Sequence, residues 1–134
     1  MGETVRVAWV SRHPPLKKQL EVLKEKLGDI VVVQISRTFT DYKEVLDEIK
    51  NANCKYAVVV LPLSMIAQLV NDKSITWLFA EMEGIHECLG PELCEEFNPD
   101  TDVWLPLHGK STGRHMRFKQ FRKILRVEMV TEPF

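Results

Sequence analysis

The sequence predicts an α/β fold, specifically a single-domain, Rossmann-like three-layer sandwich of flavodoxin-like layout with a mostly parallel sheet. Three observations carry that expectation. Short β-branched runs alternate with amphipathic stretches from the start of the chain to about residue 70, the pattern of right-handed βαβ units. The runs "IVVV" and "YAVVVL" are nearly continuously apolar, as parallel strands covered on both faces are. With 134 residues, 45% of them hydrophobic, the chain has the length and balance of one domain, spanning residues 1–134.

Each element follows from local pattern. Thr4 to Val10 combines alternation with β-branching and reads as the first strand. "SRHPP" breaks it, and Pro14 and Pro15 suit the first turn of a helix. Leu16, Leu20, Leu23 and Leu27 then recur at helical spacing among lysines and glutamates, and Gly28 stands as a left-handed cap. Asp29 to Ser36 is the second strand. Thr40 is the expected N-cap of a helix from Asp41 to about Ala52, with Val45, Leu46 and Ile49 on its apolar edge. Tyr56 to Leu63 is the third strand, and Ser64 is placed to cap a helix bearing Met65, Ile66, Leu69 and Val70 on one face.

The second half is less regular. Ile75 to Met82 fits a helix or a strand, and its β-branched and aromatic content favours strand. "DVWLPL" is a short strand, and "LRVEMVTEP" a last one. Between them Phe118, Phe121 and Leu125 form a stripe at helical spacing, so a helix is expected, with a long β-ribbon as the alternative. From Glu83 to Asp102 the chain holds Gly84, Gly90, Pro91 and Pro99 with many acids and no Lys or Arg. It reads as an acidic insertion or lid at about 83–102. Ile85, Leu89, Leu93 and Phe97, spaced by four, would let it dock as a short helix, and the same surface would equally serve a homodimer.

Several functions are excluded by the residues themselves. "GKST" resembles the end of a nucleotide-binding P-loop, but Trp104 stands where G-x-x-x-x-G-K-[ST] needs glycine. The first turn has no G-x-G-x-x-G, no flavodoxin-type Ser/Thr/Gly phosphate loop and no paired acids of a receiver domain, and G-x-S-x-G is absent. A formal net charge of −1 argues against coating nucleic acid by bulk charge. No apolar run approaches the roughly 20 residues of a membrane span. The start of the chain lacks a signal-peptide pattern, and Gly2 is followed by Arg6 where myristoylation needs Ser or Thr. The expectation is a cytoplasmic protein with no membrane partner. Cys54, Cys88 and Cys94 are read as reduced thiols. His86, Cys88 and Cys94 lie close in sequence, but C-x5-C is not zinc spacing and the deaminase pattern H-x-E with P-C-x-x-C is missing, so no metal is expected.

In open parallel sheets, ligands bind at the carboxyl ends of the strands. The segments expected there are Ser11, Arg12 and His13; Ser36, Arg37 and Thr38; Pro62 to Ser64; Glu81 and Glu83; and His108 to Ser111. Two arginines, a lysine and several hydroxyls on one rim suit an anionic small molecule or nucleotide. Arg12 and Arg37 are expected as anion clamps. Lys110 with the Ser111 and Thr112 N–H groups would cradle a phosphate, and His13 or His108 would transfer protons if the site is catalytic. No cofactor is named, and catalysis is left open. The charge pattern supports a second reading. Every formal charge between Lys73 and Lys110 is acidic, and a basic run follows. Arg114, Arg117, Arg122 and Lys123 could therefore contact nucleic acid or an acidic protein.

Overall fold

The structure, a computed structural model, describes residues 4–134, with the side chain at position 93 excepted. Gly2 lies outside the described residues, as does the apolar contact expected of Leu93. The chain forms β1 (Val5–Val10), α1 (Lys17–Leu27), β2 (Ile30–Ile35), α2 (Tyr42–Asn51), β3 (Tyr56–Val59), α3 (Leu63–Leu69), β4 (Thr76–Cys88), a 3-10 turn (Pro91–Leu93), β5 (Asp102–Pro106) and β6 (Gly113–Lys123). The strands follow the order β2-β1-β3-β4-β6-β5. β1 runs parallel to β2 and β3, with Val7 opposite Val32 and Tyr56, and β3 runs parallel to β4, with Ala57 opposite Trp77. β5 and β6 are antiparallel, with Trp104 opposite His115. Partners along β4 and β6 also count in opposite directions: the Ile124 N–H donates to the Trp77 carbonyl, Gln120 reaches Glu81, and Thr112 reaches Glu87.

The chain is α/β, but the parallel, flavodoxin-like three-layer sandwich is overturned, and the Rossmann-like description goes with it. The sheet is mixed. After α3 the chain adds no further βα unit, continuing instead with the 13-residue β4 and the β5–β6 ribbon. The helix expected over Phe118–Leu125 is strand as far as Lys123, because β6 finds backbone partners in both β4 and β5. Its helical stripe fails physically at Leu125, which is 67% exposed. Residues 124–134 form no strand, although Ile124 and Val127 pack on apolar core. The short helix expected between Ile85 and Phe97 gives way to the end of β4, the 3-10 turn and irregular chain.

The chain packs as two compact units. The first holds the described residues up to Pro14, Leu27–Phe79 and those from Arg122 onward; the second holds Pro15–Lys26 and Ala80–Phe121. In the first, α2 and α3 supply Val45, Ile49, Ile66 and Leu69 to a core with Ala8, Val10, Ala57, Val59 and Trp77 of the strands. β2 is an edge strand, so Val31 is 42% exposed rather than covered on both faces as its composition suggested. Asp41, not Thr40, caps α2, its carboxylate accepting the Lys43 N–H at 2.9 Å. Ser64 lies inside α3 and gives it no cap. After α2, Asn53 takes the left-handed conformation (φ 57°), the role asparagine can share with glycine.

The second unit has a different interior. α1 starts at Lys17, beyond both prolines, and Gln19 Oε1 accepts the Leu16 N–H at 2.8 Å, one half of a capping box. The Lys18 N–H donates to the Asp100 carbonyl at 3.0 Å, tying the first turn to the loop before β5. Gly28 (φ 82°) follows the helix as expected. A Cβ on Gly113 would run into the Trp104 indole across the β5–β6 ribbon. The described side chains buried in this unit include Leu23, Cys94 and Phe118, together with the polar Gln19, Asp102 and His115.

Ile49 is fully buried and Val31 lies on the sheet edge. Ile49→Ala is therefore expected to destabilise the chain by about 2–5 kcal/mol, and Val31→Ala by less than about 1 kcal/mol. Denaturant unfolding of the two variants measures the contrast.

Candidate functional site

β1, β2 and β3 are parallel, so their carboxyl ends share one edge. A cleft of about 390 Å3 opens there, with Val10, Ile35, Leu61 and Met65 as apolar floor and Ser11, Arg12, His13, Arg37 and Thr38 as polar wall. The turn after β1 is held by three hydrogen bonds. Trp9 Nε1 donates to the His13 carbonyl at 2.8 Å, the His13 N–H donates to Ser11 Oγ at 3.2 Å, and Gln34 Nε2 donates to the Ser11 carbonyl at 3.3 Å. Arg12 Nη2 donates to Thr38 Oγ1 at 2.7 Å. No carboxylate among the described residues lines this cleft.

The two arginines expected as clamps differ. Arg37 already bridges Glu44 at 3.1 Å and Glu48 at 2.9 Å, and its guanidinium lies 4.8 Å from the centre of the Phe39 ring. Its charge is largely offset by α2. Arg12 pairs with no carboxylate among the described residues. Ser64 lines a separate shallow cleft with Thr40, Asp41 and Gln68.

His108, Lys110, Ser111 and Thr112 lie in the β5–β6 turn of the second unit, where Gly109 takes φ 75°. There Glu87 engages both Lys110 (3.6 Å) and the Thr112 hydroxyl (2.9 Å). Lys119 lies 3.6 Å from Glu81. Acids of the 81–102 segment thus meet the basic run side by side across strands β4 and β6, as cross-strand neighbours do.

A denser polar cluster lies inside the second unit. His86 and Cys88 are two apart on β4 and share a face. Cys94 follows the 3-10 turn, Asp102 opens β5, and His115 comes from β6. His86 Nε2 lies 2.8 Å and His115 Nδ1 3.4 Å from Cys94 Sγ. His115 Nε2 faces Asp102 Oδ2 at 2.6 Å, both side chains fully buried. Asp102 also accepts from Arg117 (Nε 2.9 Å, Nη2 3.1 Å), from the Thr101 hydroxyl (2.6 Å) and from the Asn98 N–H (2.9 Å). His86 Nδ1 lies 3.7 Å from Glu96 Oε2.

Burial by itself would raise the Asp102 carboxyl, but hydrogen bonds from Arg117, Thr101, Asn98 and His115 outweigh it and hold the group well below the usual carboxylate range. The Arg117 guanidinium is pushed up in turn by its bond to Asp102. Desolvation, then the neighbouring Cys88 side chain, pushes the Cys94 thiol up. Cys94, His115 and Asp102 stand in the order of nucleophile, base and orienting acid. A nucleophilic cysteine needs a thiolate within reach of substrate, whereas this thiol is 8% exposed and shifted toward its protonated form. The same set of atoms is chemically suited to holding a cation with nitrogen and sulfur ligands.

Sequence reasoning brought His86, Cys88 and Cys94 together and set them aside on spacing. It missed His115 and Asp102. The H-x-C pair on one strand face was the available signal.

The folded-state pKa of Asp102 is depressed, so its carboxylate contributes stability that is fully present above the ordinary carboxyl value near pH 4 and is lost as pH falls through the lower folded value. Asp102→Asn is expected to cost about 3 kcal/mol near neutrality. It should also flatten the loss of stability below about pH 4. Thermal unfolding of both proteins across that range measures this. Unchanged acid sensitivity in the variant would assign the slope to other carboxylates.

No helix among the described residues is long and apolar enough to cross a membrane. No family model matches the chain, and neither a curated protein nor a solved structure matches it.

Proposed function

We propose that the chain binds an anionic small molecule, of the nucleotide or phosphorylated-metabolite class, in the cleft at the carboxyl ends of β1, β2 and β3. The observation that carries this reading is Arg12. Among the described residues its guanidinium meets no acid in this cleft and is anchored by a bond to Thr38, leaving most of its N–H donors for a ligand. Arginine matches phosphate and carboxylate oxygens in bidentate geometry. The apolar floor of Val10, Ile35, Leu61 and Met65 suits the uncharged part of such a ligand. No reaction step is assigned to the site.

The nucleic-acid reading has less support. Lys110, Arg117 and Lys119 of the basic segment 110–126 each engage an acid of their own unit.

Thermal-shift titrations with ATP, AMP, inorganic phosphate and a sugar phosphate test the proposal. At least one should stabilise the wild-type chain. Arg12→Ala should weaken its binding about tenfold or more, since a hydrogen bond to a charged group contributes about 1.5–3 kcal/mol. A flat response to all four anions, or equal binding by Arg12→Ala, sinks it.

A further inference from the structure

We propose that His86, Cys94 and His115 form a binding site for a zinc-type divalent metal ion. His86 Nε2, Cys94 Sγ and His115 Nδ1 all lie within 4.8 Å of one another. Zinc bonds of about 2.0–2.1 Å to nitrogen and 2.3 Å to sulfur put donor atoms roughly 3.3–3.8 Å apart. Small side-chain movements therefore suffice.

The donors are aimed for this purpose. Both ring nitrogens point at one sulfur, and a thiol has only one proton to donate. A cation satisfies all three lone pairs at once. Each histidine turns its other nitrogen to a carboxylate: His115 Nε2 to Asp102 at 2.6 Å, and His86 Nδ1 toward Glu96 at 3.7 Å. Donation from Nε2–H to Asp102 leaves the Nδ1 lone pair of His115 free to ligate, and such carboxylate–histidine pairs orient metal ligands. Nitrogen and sulfur donors select zinc over magnesium or calcium. On binding, the Cys94 thiol proton leaves to solvent, so affinity rises with pH.

The site also answers a structural need. The second unit buries Leu23, Cys94 and Phe118 among its apolar side chains, against the polar Gln19, Asp102 and His115. Small units with little apolar core commonly rely on a metal. A metal here would tie β4, the chain after the 3-10 turn, and β6 together, and the burial of Cys94 and His115 fits a closed, structural centre.

The full-length chain, freed of metal by chelation, is titrated with cobalt(II) and then zinc. One cobalt per chain is expected, with a thiolate-to-cobalt charge-transfer band that zinc abolishes, and zinc should raise the unfolding temperature. His86→Ala and Cys94→Ser should each weaken binding about 100-fold or more, and Asp102→Asn about 10–100-fold with the band retained. Cys54→Ser, in the core of the first unit, should bind as wild type. If Cys94→Ser does not fold, His86→Ala carries the test, since that ring is 37% exposed. Three results would overturn the site: no stoichiometric binding by folded chain, binding that survives His86→Ala, or a Cys88–Cys94 disulfide in the chain as isolated under non-oxidising conditions.

Discussion

A carboxylate cut off from water must be surrounded by donors, because each lost hydration contact costs free energy that only a hydrogen bond or ion pair offsets. Asp102 imposes that constraint on the second unit. Its donors come from the loop before β5 (Asn98, Thr101) and from β6 (His115, Arg117). Satisfying them sets where that loop turns and pins the two ends of the ribbon to each other. Arg117 extends the network by donating to the Glu96 carbonyl. His115 carries it inward to Cys94, and through that sulfur to His86 on β4. Three separate stretches of the chain are thus joined by polar contacts where a larger domain would use aliphatic packing.

The first unit is held by the opposite means. Ala8, Val10, Ala57, Val59 and Trp77 meet Val45, Ile49, Ile66 and Leu69 with little polar interruption. Parallel strands leave the polar ends of β1 and β2 on one edge, and the turns there carry Arg12 and Thr38. The Arg12 cleft is thus a by-product of strand direction, with an apolar floor supplied by the same strands that build the core. The two candidate sites rest on different physics. One is an exposed cation over a hydrophobic floor, and the other is a set of soft donors enclosed in the fold.

The acidic block and the basic block illustrate how charge runs resolve in space. Read linearly, they suggest an acidic cover and a basic patch. Antiparallel pairing of β4 with β6 instead sets Glu81 beside Lys119 and Gln120, and Glu87 beside Lys110 and Thr112. Such half-exposed pairs contribute about 0–1 kcal/mol each. Because β4 carries acids and no Lys or Arg, while β6 carries bases and no Asp or Glu, their effect is on which strands pair rather than on register.

What the sequence determined by itself is the part governed by local periodicity. The leucine spacing and Gly28 mark α1, the apolar runs mark β1 and β3, and the aromatic, β-branched start of β4 marks a strand. Even the cleft residues Ser11, Arg12, His13, Arg37 and Thr38 follow from knowing where β1 and β2 end. Only the tertiary structure decided the rest. Phe118 and Phe121 satisfy a helical stripe as well as a strand, and the choice fell to partners on both sides, β4 and β5, which no local pattern encodes. Val31 is exposed because β2 has a neighbour on one side alone. Likewise His115 and Asp102 join His86 and Cys94 because ribbon register brings distant residues within hydrogen-bonding reach. Hydrogen-bond pairing between strands is a non-local interaction, and sequence spacing carries no measure of it.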